Sequence, residues 1–241
     1  MGEGMRVLRA ADRVAAPWSN GGGVTREIAA HPDGAGWDAF DWRISLADVT
    51  RDGPYSPLPG IRRILTVADG AGLHLTVDGT THPPLPRHTP FAFPGAAATD
   101  SRLVAGPVVN LNVMTREGRA GADVGVVRGG CTLSAAPGRT MVVALPDGTG
   151  EGPGDPDGTE EGPGVPGGTA TAAVAVPDRT ATAVTGATAS VAAVVTSGGA
   201  VVELGCYDAV LLPGGVAAQL RTGGVAAVIT LVGEGTADGG R

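Results

Sequence analysis

Three short alternating stretches carry most of the side chains in this sequence that could do chemistry. GVTREIAAH (23–31) sets Val24, Arg26 and Ile28 against Thr25 and Glu27. An arginine flanked by aliphatics on one strand face must snorkel, pair with an acid or bind something anionic. In DWRISLADV (41–49), Trp42, Ile44 and Leu46 share one face, and Arg43, Ser45 and Ala47 the other. The Trp42 face belongs to a core. The Arg43 face meets either solvent or the mouth of a barrel, and periodicity leaves that choice open. VVNLNVMT (108–115) puts Asn110, Asn112 and Met114 together. Two amides in mid-strand need solvent or a polar pocket to meet their hydrogen bonds.

Other chemistries find less support. A metal centre needs several converging ligands. Of His31, His74, His82 and His88, none forms a His-x-His pair, and the last two fall in a proline-rich loop. No metal and no cofactor is expected. SNGGGVTRE lacks the Gly-Lys-Ser/Thr ending and the helix of a phosphate loop. Ser19, Ser45 and Ser56 have no nucleophile-elbow context. Glu27 with Asp41 or Asp48 is conceivable as an acid–base pair, and salt-bridging is the alternative role for each.

Composition narrows the partners. The net charge is −7, and no Lys/Arg cluster interleaved with aromatics occurs, which argues against nucleic acid or an anionic membrane surface. The N-terminus is polar and charged, unlike a signal peptide, and no apolar run is long enough to span a bilayer. Cys131 and Cys206 are the two cysteines. Their spacing suits neither a metal site nor a disulfide framework, so they read as reduced thiols in a cytoplasmic protein.

The elements that must position these residues are short strands. RVLRAADRV (6–14) reads as a strand or a helical turn. IRRILTVADG (61–70), AGLHLTVDG (71–79), PFAFPG (90–95), SRLVAG (101–106) and VVNLNVMT follow, separated by Asp-Gly, Pro-Gly and Gly-Pro turns. That rhythm predicts an all-β sandwich or barrel. A later stretch, VVTSGGAVVELGCYDAVLLPGG followed by AAQLRTGGVAAVITLV, echoes LTVDGTTHPPLPRHTPFAFPG followed by SRLVAGPVVNLNVM. The echo suggests two similar barrel-like halves. The expected organisation is a first half over 1–120 and the start of a second over 121–145. An acidic Gly/Pro-rich flexible loop (146–168) interrupts it, its remainder spans 169–235, and 236–241 is a disordered tail.

The remaining stretch, PWSNGGGVTREI (17–28), carries three consecutive glycines. One glycine supplies the positive φ of a tight turn, so three suggest a backbone lip beside a pocket. PWSNGGGVTREIA, DWRISLADVTRDGPYSPLPGIRRILTVADGAGLHLTVDG, PFAFPG and GPVVNLNVMTREGR occur in this order and resemble the HutD family, also called HutD/Ves. The resemblance implies a cupin-type double barrel, or bicupin, with no bound metal. It also implies a small-molecule-binding modulator of histidine utilisation, whose ligand is a carboxylate intermediate such as formylglutamate or urocanate. Carried over by motif, the pocket positions are Trp18, Asn20, Gly21, Gly22, Gly23, Thr25, Glu27, Arg43, Ser45, Arg63 and Asn112. Ser19 stands where the family motif usually has lysine, and Asn110 where it commonly has aspartate. A metal-independent isomerase or lyase using Glu27 or a histidine, a metal-dependent oxygenase and an interaction protein are the alternatives. A homodimer is left open.

Overall fold

The computed structural model describes residues 4–148 and 191–233. Most of the acidic Gly/Pro-rich stretch, the small-residue stretch up to residue 190 and the 236–241 tail lie outside the described residues. In chain order the strands are β1 (Arg6–Leu8), β2 (Ala15–Pro17), β3 (Gly23–His31), β4 (Trp42–Val49), β5 (Gly53–Tyr55), β6 (Ile61–Asp69), β7 (Leu73–Val77), β8 (Thr80–Thr81) and β9 (Pro90–Pro94). They continue with β10 (Thr99–Leu103), β11 (Val108–Arg116), β12 (Ala120–Leu133), β13 (Arg139–Leu145), β14 (Ala193–Ser197), β15 (Ala200–Leu204), β16 (Ala209–Leu212) and β17 (Ala218–Gly233). One 3-10 turn, Ala10–Asp12, follows β1, so RVLRAADRV is both a strand and a turn.

The strands form three antiparallel sheets. One runs β2-β3-β4-β11-β6-β9, another β5-β10-β7-β8, and a third β1-β16-β13-β17-β14-β15 with β12 on the free edge of β17. The first two enclose a barrel-like interior. Its closed end holds Val49, Leu65, Val67, Leu73, Leu75, Leu85, Phe93 and Val108. Each such apolar side chain, once buried, stabilises the fold by about 1.5–3 kcal/mol.

The outer face of the first sheet packs on the third. Trp42, Ile44, Leu46, Ile64, Leu111 and Val113 meet Met141, Val143, Leu145, Leu211, Val225, Ile229 and Leu231 in one core. The Trp42 face of β4 is therefore the one buried between sheets, and Arg43, Ser45 and Ala47 point into the barrel.

The pairing scheme recurs along the chain. β11 lies between β4 and β6, β6 also pairs with β9, and β7 pairs with β8 and β10. Likewise β17 lies between β12 and β13, β13 also pairs with β16, and β14 pairs with β15 and β17. A register shift opposite Arg128 and Gly129 lets β17 leave β14 and continue along β13, the work of a bulge. The N-terminal β1 joins the later sheet, pairing with β16.

Candidate functional site

The register aligns the interior side chains of the first barrel in rows. Thr25, Ala47 and Asn110 stand side by side across β3, β4 and β11. Glu27, Ser45 and Asn112 form the next row, and Arg43, Met114 and Arg63 the third. Together they line a cavity of about 560 Å³, capped by Trp18 and Asn20 before β3, Trp37 before β4 and Tyr55 on β5. Eight of the predicted positions, Trp18, Asn20, Thr25, Glu27, Arg43, Ser45, Arg63 and Asn112, line it.

The three glycines stand outside this cavity. Gly21 alone of them has a positive φ, 66°, and its N–H donates to the Trp18 carbonyl at 2.9 Å. The Gly22 N–H goes to Asn20 Oδ1 at 2.8 Å, and Gly22 lines a neighbouring cleft of about 270 Å³ with Arg51 and Tyr55. Arg51 donates to the Asn20 carbonyl. A Cβ on Gly23 would collide with the Asp48 carbonyl and lie 3.2 Å from the Trp18 ring. The first two glycines thus satisfy their own loop, and the third lets β3, β4 and the tryptophan close together. Trp18 is held by an indole N–H bond to Thr25 Oγ1 at 2.8 Å.

Arg63 dominates the electrostatics. The alternation of Ile-Arg-Arg-Ile-Leu leaves Arg62 exposed and buries Arg63. Its guanidinium donates to Asn112 Oδ1 at 3.3 Å and lies 5.0 Å from the Tyr55 ring centre and 5.1 Å from that of Phe93. Its Nε has no protein partner, and no carboxylate pairs with it among the described residues. Burial pushes its pKa down, against a smaller opposing pull from Tyr55. A guanidinium stays protonated in protein settings, so the result is a partly desolvated cation seeking an anion.

Arg43 differs. It pairs with Glu27 at 2.8 Å and stacks 4.4 Å from the ring centre of half-exposed Trp37. Asn110 donates to the Tyr55 hydroxyl at 3.3 Å, while its own buried Oδ1 lacks a donor. Burial raises the Tyr55 pKa, opposed by smaller contributions from Ser101, Arg63 and Asn110. The phenol is therefore a neutral donor or acceptor.

The other candidates resolve simply. Arg26 pairs with Asp48 and Asp41 with Arg119, so neither aspartate faces Glu27 as an acid–base partner. Among the described residues, no three of the His, Cys, Asp and Glu side chains gather where they could hold a metal ion. No described helix is long and apolar enough to cross a membrane. Sequence reasoning missed Tyr55 and Trp37. One sits on a three-residue strand and the other in a loop, where alternation carries no signal.

Fold and site together define a β-barrel protein whose polar interior is organised around a buried arginine. The HutD family model matches residues 10–153, and the chain belongs to that family. A 21.2 kDa uncharacterised protein in the hutC 3′ region of Pseudomonas putida is 40% identical over 110 residues, 46% of this chain and 57% of that protein. Protein Ves of Citrobacter koseri is 39% identical over 111 residues, covering 45% and 56%. The chain thus matches little over half the length of these curated relatives. HutD from Pseudomonas fluorescens SBW25, solved in a formate condition, superposes with a TM-score of 0.67 and 27% identity, covering 95% of this chain and 98% of that one.

Proposed function

We propose that this protein is a cytoplasmic, non-enzymatic cupin whose first barrel binds a small carboxylate metabolite, and that it modulates histidine utilisation. One observation carries the reading: the buried guanidinium of Arg63, with no acid paired to it among the described residues, opens into a cavity of about 560 Å³ beside Asn112. A ligand carboxylate reaching this guanidinium would balance its charge. The recurring strand pairing supports a double-barrel architecture, with the later barrel built by β12–β17. Formylglutamate-like and urocanate-like molecules both have the carboxylate and the size this cavity accepts.

Calorimetric titration of the wild type and Arg63→Ala with formylglutamate and urocanate tests the proposal. Binding of at least one ligand, lost in the variant, is expected. Failure of both to bind the wild type overturns the assignment.

A metal-independent isomerase or lyase is the alternative reading, favoured by the placement of the Glu27 carboxylate inside the cavity. Turnover of such a carboxylate without metal, abolished in Glu27→Gln, would establish it.

A further inference from the structure

We propose that Glu27 is a charge selector, making the site prefer ligands with one carboxylate over those with two. The inference rests on the carboxylate-binding reading of the same cavity.

Among the described residues, three formally charged side chains line the cavity: Arg43, Arg63 and Glu27. They are not equivalent. The Glu27 carboxylate holds Arg43 Nη2 at 2.8 Å, and the Trp37 ring stacks on the guanidinium. Arg43 is thereby neutralised from within the protein. Arg63, one row position beyond Met114, has amide and aromatic neighbours in place of an acid. The cavity thus presents one uncompensated positive charge.

A single ligand carboxylate on Arg63 balances that charge. An additional one would have to displace Glu27 from Arg43 or lie beside it, and like charges in a partly desolvated site repel strongly. Beside Arg63 the cavity lining offers uncharged polar groups, the Asn112 amide and the Tyr55 hydroxyl. The favoured ligand therefore carries one carboxylate and an N–H or O–H, with its remaining polar groups uncharged. Glu27 is suited to the role because its side chain is 35% exposed, against 14% for Arg43. It is held by its partner more than by packing, so changing it leaves the barrel wall intact.

N-formylglutamate and N-formylglutamine form a matched pair of probes, close in shape and differing by one carboxylate. Calorimetry on wild type, Glu27→Gln and Glu27→Gln/Arg43→Met separates the possibilities, with thermal unfolding of each variant confirming the fold. The wild type is expected to bind N-formylglutamine about tenfold more tightly than N-formylglutamate. Glu27→Gln should erase or invert that ratio by freeing Arg43, and the added Arg43→Met should remove the dianion affinity so gained. An unchanged ratio in Glu27→Gln, with both probes bound, overturns the selector while leaving the carboxylate site standing. Failure of both probes to bind the wild type overturns the selector, and failure of urocanate as well overturns the carboxylate site.

Discussion

Asp208 Oδ1 accepts the backbone N–H of Ala10 at 2.7 Å, tying the β15–β16 connection to the turn that follows β1. The other carboxylate oxygen takes Arg9 Nη1 at 2.7 Å and the Gly205 N–H at 3.1 Å. Burial pushes this carboxyl up, but those bonds outweigh it and hold the pKa below the ordinary 3.8. A carboxyl with a depressed folded-state pKa stabilises above its unfolded value, and the contribution disappears as pH falls through the folded one. Asp208→Asn should therefore lose about 2 kcal/mol at neutral pH. Urea unfolding at about pH 7 and about pH 2 should find the gap between variant and wild type closing in acid. An equal gap at both would assign the effect to shape instead of charge.

His88 gives a dependence of the same sign at higher pH. Its Nδ1 accepts from Arg128 Nη2 at 3.0 Å, across the boundary between β12 and the loop before β9. Burial first, then the Arg128 charge, lowers its pKa from the ordinary 6.5, against smaller pulls from the Ala68 and Pro146 carbonyls. The unfolded chain takes up this proton at higher pH than the folded one, so stability falls as pH drops below about 6.5. His88→Gln should flatten that part of the curve between about pH 7 and about pH 5. Parallel curves would show that another group carries the dependence.

The glycine loop makes a ranked prediction. Gly23→Ala forces a methyl into the Asp48 carbonyl and the Trp18 ring, and should cost about 2–4 kcal/mol by parting β3 from β4. Gly21→Ala meets the flexible end of Arg51 and a positive φ, and should cost about 1 kcal/mol. Thermal unfolding distinguishes the two, and the reverse order would contradict the account of the loop.

Tyr55→Phe tests the polar seam beside Arg63. The ring remains beneath the guanidinium, but the Asn110 amide loses its 3.3 Å partner. Stability should fall by about 1–3 kcal/mol, the cost of a buried unsatisfied polar group. A loss confined to ligand affinity, with unfolding unchanged, would mean that Asn110 finds another acceptor.

Much of this was legible in the residues. Alternation located β3, β4, β6 and β11 and sorted Arg43, Ser45, Asn110 and Asn112 onto shared faces. It could not decide which face turned inward, because a period of two marks two sides and only the stacking of a further sheet distinguishes them. That sheet comes from residues beyond 120, whose small side chains carry weak patterning. Arg26 shows the same limit: its fate depended on Asp48 of the neighbouring strand, a matter of register. Gly21, Gly22 and Gly23 were adjacent to the cavity in sequence, yet their geometry serves the hairpin that holds Trp18.

The pairing of β1 with β16 bears on how the molecule can be divided. The later sheet borrows its edge from the opening residues, and the Trp42–Ile44–Leu46 face of the earlier one is covered by the later sheet. Neither half is self-sufficient. A fragment ending near residue 120 would expose a wide apolar surface to water and leave an orphan strand at its start, so it should precipitate or be degraded unless the complementary fragment is supplied in trans.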